Sequence, residues 1–221
     1  MMTSLIKFLS LNVGGKSNLA GLCMTMSLVN FDIILLQEVK LSQSEVEVLV
    51  CRFGFSSLVN IDPDDSNKPG TALIWRNTIP IVAVNLVNCR LQMAEVGVYR
   101  IFNCYAPSGS ENKYAREKFY GHELFRFLKL YSGSSNVIAG DHNCVLRKED
   151  IENGIGFKNK FCNALDTLAK CELLEDCYLL LHQTRQFTFH RPGKAKSRLD
   201  RFSITDSSLS SSSVSHVCIS S

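Results

Sequence analysis

Six polar residues stand at or next to the ends of apolar segments, in positions where side chains are able to do chemistry. They are Asn12, Glu38, Tyr105, Asp141, Asn143 and Asp200. Polar side chains at strand ends form a site when the strands converge on one edge of a sheet. Asn and Asp are also common turn formers, so each residue alone fits an ordinary strand end. The set as a whole indicates a site.

The chemistry of this set is that of carboxylates, amides and a phenol. Mg²⁺ prefers oxygen ligands and is usually held by one or two protein carboxylates, so Glu38 with the amide of Asn12 suffices. Such a metal polarises a phosphoryl oxygen and stabilises the leaving alkoxide. The residues therefore predict a hard divalent cation acting on a phosphate.

Motifs of other catalytic classes are absent from the sequence. The segment NVGGKSN resembles a phosphate loop, but Ser10 stands where the first glycine of G-x-x-x-x-G-K-[ST] is required. Neither G-x-S-x-G nor H-E-x-x-H occurs, which excludes the common serine-hydrolase and zinc-protease patterns.

Hydrolysis also needs a base with a pKa near neutrality, and histidine is the first candidate. Of the five histidines, His122 falls in a helical segment and His182 and His190 in a basic segment, where each fits a surface position. His216 lies in the closing stretch DSSLSSSSVSHVCISS. Its composition favours a serine-rich tail. The short alternation of apolar residues also allows a second interpretation, in which the stretch forms a final strand that belongs to the site.

Length and composition indicate one mixed α/β domain over residues 1–221. The chain is 45% hydrophobic, and nothing resembles a linker before the serine run. No signal peptide or membrane span is visible, which predicts a cytosolic or nuclear protein without a membrane partner. Nine cysteines without a C-x-x-C fit neither a disulfide framework nor a zinc site, and most are expected to be reduced core residues.

Short apolar runs predict strands, and amphipathic runs between them predict helices. The predicted strands are IKFLSLN, FDIILLQE, FSSLVNI, TALIWRN, IVAVNLVN, VGVYRIFNCYAP, NVIAGDHN, QFTFHR, SRLDRFSI and SHVCIS. The predicted helices are NLAGLCMTMSLVN, residues 42–52 with a Ser42/Glu45 capping box, 111–131 and 158–170.

Positive charge is concentrated between His182 and Phe202. This stretch carries one acid, Asp200, and the basic residues Arg185, Arg191, Lys194, Lys196, Arg198 and Arg201. A local basic segment of this kind is a candidate phosphate-contact surface. An ordinary solvated hairpin fits the same charges.

Six ordered motifs resemble the exonuclease–endonuclease–phosphatase superfamily: SLNVGG, DIILLQEVKL, FNCYAP, VIAGDHNCVL, FTFHRPGKAKSRLDRFSI and VSHVCIS. Within it, NCYAP, GDHNCVL and the pairing of FTF with SRLDRF look most like the apurinic-type endonuclease domain of LINE-type retrotransposons. The resemblance spans nearly the whole chain. It implies a four-layer α/β sandwich of two mostly antiparallel sheets flanked by helices, with the site at one edge between the sheets.

The resemblance also implies roles for individual residues. Glu38 and Asn12 would hold the metal, expected to be Mg²⁺ with Mn²⁺ as a substitute, and Tyr105 would contact the scissile phosphate. Asp141 would position or activate water, and Asn143 would bind phosphate oxygens. Asp200 would orient His216, which would bind the phosphate or act as the base.

Two residues depart from the family pattern. His142 replaces the phenylalanine of G-D-F-N, and strand alternation predicts that it packs away from Asp141 and Asn143. Ser215 replaces the aspartate of the closing S-D-H. This second change leaves open a catalytically impaired DNA-binding module.

The implied activity is nicking of one strand of duplex DNA, leaving a 3′-hydroxyl that primes reverse transcription in the nucleus. A hairpin with a turn at Pro192 and Gly193 would reach the groove, and the expected DNA contacts are Arg191, Lys194, Lys196, Arg198 and Arg147. The implied partner is a reverse transcriptase downstream in one polyprotein, and the enzymatic alternative is an apurinic/apyrimidinic repair endonuclease.

Overall fold

A computed structural model describes residues 6–14, 31–65, 68–97, 99–130, 135–182, 185–190 and 192–205. Its ten strands form two sheets. They are β1 Phe8–Asn12, β2 Ile33–Val39, β3 Phe55–Asn60, β4 Gly70–Arg76, β5 Ile81–Val87, β6 Leu91–Val96, β7 Tyr99–Tyr105, β8 Ser135–Asp141, β9 Glu175–Asp176 and β10 Asp200–Ile204.

The strand order is β1-β2-β4-β3 in the first sheet and β5-β6-β7-β8-β10-β9 in the second. In each sheet one neighbouring pair is parallel, β1 with β2 and β7 with β8, and the other pairs are antiparallel. The two mostly antiparallel sheets expected from the sequence are therefore confirmed.

The sheets face each other because alternate residues of their strands are apolar on the same side. Ile33 and Leu35 of β2 pack there against residues of the second sheet such as Ile101, Val137 and Phe202. The intervening residues point outward and form two further cores under helices. Helix, sheet, sheet and helix make the four layers of an α/β sandwich.

The outer layers are short helices whose apolar sides cover the sheets. Val46 and Val50 of α1 pack on the first sheet, whereas Leu124, Leu128 and Leu165 pack on the second. The helices are α1 Gln43–Val50, α2 Lys113–Lys118, a π-helical turn Phe119–Leu124, α3 Phe125–Leu130, α4 Phe157–Lys160, α5 Asn163–Cys171 and α6 Cys177–Leu181.

Most predicted elements within the described residues are present. The capping box of α1 is confirmed, since Ser42 and Glu45 bond each other's backbone N–H groups. The sequence analysis missed β6, whose alternation contains the polar residues Gln92 and Glu95, and the predicted helix 158–170 is broken between Lys160 and Asn163. The predicted helix NLAGLCMTMSLVN and the predicted strand SHVCIS lie outside the described residues.

Cysteines behave as core residues in the part of the chain that is described. Seven are free thiols. Cys89, Cys104, Cys144, Cys162 and Cys177 are buried, and Cys51 and Cys171 are exposed. Among the described helices, none is long and apolar enough to cross a membrane.

Gly140 allows β8 to lie against β7 immediately before Asp141. Its φ is +139°, and a Cβ added there would lie 1.9 Å from the carbonyl oxygen of Cys104. L side chains rarely adopt this φ, and a backbone oxygen cannot move away as a flexible side chain can.

We therefore expect Gly140→Ala to lower the free energy of unfolding by about 3 kcal/mol or more. Gly97→Ala is the matched control, because Gly97 also has a positive φ, +59°, but open space around its Cα. The control should lose about 1 kcal/mol in denaturant unfolding. Equal losses in the two variants would contradict the steric account.

Candidate active site

The polar strand ends meet at one edge of the sandwich. Strands β1 and β2 end there on the first sheet, and β7 and β8 end there on the second, where β10 begins. Asp141 is the register partner of Tyr105 on one side and of Asp200 on the other. The convergence predicted from the sequence is thus present in the fold.

The amide of Asn12 links the two sheets at this edge. Its Nδ2 donates to Oε1 of Glu38 at 2.9 Å and to Oδ2 of Asp141 at 2.9 Å. Its Oδ1 accepts from the backbone N–H of Gly14 at 3.0 Å, which fixes the orientation of the amide. Two carboxylates from different sheets are therefore held beside one side chain.

Glu38 reaches this position because β2 is irregular. Gln37 points between the sheets, so strict alternation would direct Glu38 to the opposite face. A β-bulge between Gln37 and Val39 interrupts the register, and Glu38 adopts a left-handed φ of +58°. A non-glycine residue in this region is strained, and such strain concentrates at functional sites.

Asp141 is held by two N–H donors. The backbone N–H of Asn143 donates to Oδ1 at 2.9 Å, and Asn12 donates to Oδ2. Asn143 has a φ of +48°, and its Nδ2 donates to the carbonyl of Ala106 at 2.9 Å. Burial raises the pKa of Asp141, whereas these two hydrogen bonds oppose the rise and the charge of Glu38 adds to it.

Asp200 lies beside Asp141 on the neighbouring strand. Burial and then the charge of Asp141 raise the pKa of Asp200 to about 7. The hydroxyl of Thr188 opposes this rise, and its oxygen accepts from the backbone N–H groups of Leu199 and Asp200, both at 3.0 Å. The charge on Asp141 therefore favours the protonated form of Asp200.

Tyr105 completes the second-sheet side of the site as a neutral phenol. Burial and then the charge of Glu38 raise its pKa to about 12. The guanidinium carbon of Arg90 lies 4.9 Å from the centre of its ring. At neutral pH the Tyr105 hydroxyl is a hydrogen-bond donor.

The donor set fits a hard cation that keeps most of its waters. Among the described residues no group of three or more His, Cys, Asp and Glu side chains is close enough to enclose a metal ion. Glu38 and Asp141 are instead two carboxylates joined through one amide. One or two carboxylates are what Mg²⁺ usually takes from a protein, whereas zinc takes more ligands, usually from Cys and His.

Solved structures share this architecture. An AP endonuclease from Archaeoglobus fulgidus aligns over 90% of this chain and 86% of its own, with a TM-score of 0.74 and 18% identity. The 3′ phosphatase NExo from Neisseria, bound to product DNA hairpin, aligns over 90% and 86% with a TM-score of 0.73 and 17% identity. The catalytic domain of Xenopus laevis APE2 aligns over 90% and 82% with a TM-score of 0.71 and 20% identity.

The chain shares the fold of these three solved structures. No protein-family model and no curated protein matches its sequence. The likeness is thus carried by the strand order and the sandwich rather than by overall identity.

His142 packs behind the candidate site. It is 2% exposed, and its Nδ1 lies 2.9 Å from the hydroxyl of Tyr120 in the helix layer. Burial lowers the pKa of His142 to about 3, so the ring is neutral. The prediction that His142 is a packing residue is confirmed.

A basic hairpin rises beside the site. Phe189 and Ser197 pair as an antiparallel bridge, and a turn lies at Pro192 and Gly193 as predicted. Lys194 is exposed, and Lys196 is exposed with its Nζ 3.6 Å from a carboxylate oxygen of Glu152. Arg147 is also exposed, whereas Arg191, Ser215 and His216 lie outside the described residues.

Arg198 corrects the predicted set of DNA contacts. Its side chain is 1% exposed, and both terminal nitrogens bind the carboxylate of Asp176, at 2.6 and 2.7 Å. Its neighbour Arg201 is equally buried against Asp150. A guanidinium that is buried and paired in this way is not available to a phosphate. Its role is to pair with the buried carboxylate of Asp176.

Thr188 and Lys160 are residues at the base of the hairpin that the sequence analysis missed. Thr188 connects the base of the hairpin to Asp200. The alternation of the segment FTF is the sequence feature that could have indicated this position. Lys160 lies under the hairpin, where its Nζ donates to the hydroxyl of Ser197 at 3.0 Å and lies 5.5 Å from the ring centre of Phe189. Its position depends on the break after α4, which no sequence signal indicated.

The raised pKa of Asp200 predicts a pH dependence of stability. The folded pKa of about 7 lies above the ordinary 3.8, so the folded protein binds the extra proton, and stability falls as pH rises from about 4 to 7. Asp200→Asn removes this loss. In EDTA at pH 8 we expect the variant to be more stable than the parent by roughly 1 to 4 kcal/mol.

Urea unfolding at pH 4 and pH 8 measures this difference, which should nearly vanish at pH 4. Asp166→Asn is the control, since Asp166 forms an exposed helical pair with Lys170 and should change stability by less than about 0.5 kcal/mol at both pH values. If the free energy of unfolding changes equally between pH 4 and pH 8 in the parent and in Asp200→Asn, Asp200 titrates normally.

Proposed function

We propose that the chain is a divalent-metal-dependent endonuclease that nicks one strand of duplex DNA and leaves a 3′-hydroxyl. The observation that carries this proposal is the link from Asn12 to Glu38 and Asp141 at the edge where Tyr105 and Asp200 also lie. The fold supports it, because neighbours include proteins named as AP endonucleases and one bound to product DNA.

The residues suit hydrolysis of the bond between phosphorus and the 3′ oxygen. Water attacks phosphorus, the bond to the 3′ oxygen breaks, and that oxygen takes a proton, giving a 5′-phosphate and a 3′-hydroxyl. A buried carboxylate with a raised pKa is a stronger base than an exposed one, which suits Asp141 to accept the proton of the water.

The remaining side chains stabilise charge around the phosphate. The Tyr105 hydroxyl and the second N–H of the Asn143 amide donate to phosphate oxygens as negative charge develops. A Mg²⁺ or Mn²⁺ ion held by Glu38, Asn12 and their waters would polarise the phosphoryl oxygen and stabilise the leaving alkoxide. Asp200 orients His216 in this proposal, as the SRLD and VSH motifs imply.

The biological setting that we propose is target-primed reverse transcription by a LINE-type element. Its support is the NCYAP, GDHNCVL and SRLDRF motifs. The nick would act as the primer for a reverse transcriptase of the same polyprotein, and the site of action would be the nucleus. A repair endonuclease is the second candidate, because two of the structural neighbours are described as AP endonucleases.

Nicking of an intact supercoiled plasmid, compared with a duplex bearing one abasic site, separates these candidates. We expect Mg²⁺-dependent nicking of the plasmid, with at least a 100-fold loss of rate in Glu38→Gln and in His216→Ala. Glu47→Gln, an exposed substitution on α1, should leave the rate unchanged.

Cleavage that requires the abasic site would favour the repair endonuclease. If Glu38→Gln and His216→Ala nick as fast as the parent, the activity belongs to a contaminant. The chain would then be a DNA-binding module, as the serine at position 215 allows.

DNA contact is proposed for the surface formed by Arg147, Lys160 and Lys194. Burial and then the charge of Lys194 lower the pKa of Lys160, so two positive charges lie close together. Neither lysine has a carboxylate partner within 4.0 Å among the described residues. A phosphate placed between them would relieve this repulsion.

Lys160→Gln and Lys194→Gln should each weaken binding to any duplex several-fold and reduce the slope of log affinity against log salt by about 1. Fluorescence anisotropy in EDTA measures both quantities without cleavage. Lys170→Gln on α5 is the control, because Lys170 is an exposed lysine outside the hairpin and pairs with Asp166. An unchanged salt slope in both the Lys160→Gln and the Lys194→Gln protein would remove this surface from the DNA interface.

A further inference from the structure

A row of amide and hydroxyl side chains lies between the sheets, next to the candidate site. Register pairing aligns its members across each sheet, and each is buried. They are Gln37, Thr71 and Asn60 from the first sheet and Gln92 and Asn103 from the second. Deeper between the sheets the facing residues are apolar, such as Leu35, Leu73 and Ala94.

Asn103 and Gln37 make direct hydrogen bonds between the sheets. Nε2 of Gln37 donates to Oδ1 of Asn103 at 2.7 Å. Nδ2 of Asn103 donates to the carbonyls of Leu36 at 3.1 Å and Ala72 at 3.0 Å, and to Oε1 of Gln92 at 3.0 Å. We call Gln37 and Asn103 the inter-sheet clamp.

The clamp is attached next to the site on both sheets. Gln37 precedes Glu38 and is the register partner of Asn12. Asn103 precedes Tyr105 by two residues and is the register partner of Ala139, two residues before Asp141. The clamp therefore connects the backbone that carries Asn12 and Glu38 with the backbone that carries Tyr105 and Asp141.

Stability alone does not account for polar residues at this depth. Gln37 and Asn103 are 0% and 1% exposed, and Oε1 of Gln37 has no hydrogen-bond partner among the described residues. An unpaired buried oxygen lowers the free energy of unfolding, whereas replacing polar partners by apolar residues of similar shape is often neutral or stabilising. A directional hydrogen bond defines one separation of the two sheets, which an apolar contact such as that of a leucine does not.

We propose that Gln37 and Asn103 are positioning residues, which hold the two sheets at the separation where Asn12 and Glu38 bind one divalent cation beside Asp141 and all three face the scissile phosphate. This inference rests on the proposed function. It predicts that breaking the clamp harms catalysis and metal binding more than it harms folding.

The test uses Gln37→Met and Asn103→Leu, which remove the amides with little change in volume. Asn60→Leu is the matched control, because Asn60 also donates one hydrogen bond between the sheets, to Leu91 at 3.1 Å, but lies on the edge strand β3. Three strand spacings, about 14 Å, separate it from Asn12. The three variants are compared with the parent by thermal unfolding, plasmid nicking at saturating Mg²⁺ and DNA, and Mn²⁺ binding followed by electron paramagnetic resonance.

We expect the clamp variants to lose about 10- to 100-fold in kcat and about tenfold in Mn²⁺ affinity, with KM for DNA nearly unchanged. The Asn60→Leu protein should show a similar fall in Tm but keep kcat and Mn²⁺ affinity within about twofold of the parent. Equal losses of kcat and Mn²⁺ affinity in clamp and control variants, or no loss in the clamp variants, would overturn the positioning role.

The two proposals fail in different ways. A parent that binds Mn²⁺ but does not nick DNA would refute the proposed function, and Mn²⁺ affinity would still decide the role of the clamp. A parent that neither nicks DNA nor binds Mn²⁺ refutes both. If a clamp variant does not fold, the other variant supplies the comparison, and failure of both to fold while Asn60→Leu folds would assign the clamp to folding instead.

Discussion

Asn12 is hydrogen-bonded to Glu38 on its own sheet and to Asp141 on the other, and both contacts exist at one separation of the sheets. Each sheet carries about half of the polar edge, so neither half is a site alone. The apolar residues between the sheets supply attraction over a broad area, but such contacts tolerate sliding. The directional bonds of Gln37 and Asn103 restrict the sheets to one relative position.

Charge at this edge is concentrated and poorly solvated. Asp141 and Asp200 face each other on neighbouring strands, and burial raises the pKa of both. Carboxylates in such surroundings are stabilised when they bind a cation or a proton. The buried arginines behind the site are engaged with Asp150 and Asp176, so they oppose the raised pKa of Asp200 only weakly. The edge therefore has the acidic, poorly solvated surroundings that the proposed metal ion needs.

The polar strand ends could be located from the sequence because the pattern of apolar and polar residues along a strand involves only residues that are close together in the chain. The runs ending at Asn12, Glu38, Tyr105 and Asp141 are apolar enough to be identified as buried strands, and the ends of neighbouring parallel strands share an edge. The same reasoning missed β6, where Gln92 and Glu95 interrupt the apolar pattern. It also placed Arg198 on the surface, since a basic side chain is exposed unless an acid meets it, and Asp176 is distant in sequence.

The inter-sheet clamp is the clearest example of a feature that local sequence patterns do not predict. Gln37 in LLQE and Asn103 in FNCY are single polar residues within apolar runs, and local sequence does not tell whether such a residue faces solvent or a partner. They become partners because two strands 66 residues apart are brought face to face.

The sequence by itself determined the chemistry of the candidate site, the strands that end in it and the α/β class, because residue type and alternation are local properties. Tertiary structure alone decided that Asn12 lies between Glu38 and Asp141, that Asp200 shares its environment with Asp141, and that Arg198 is paired and buried. These outcomes depend on contacts between residues far apart in the chain, whose distances are set by how the two sheets pack.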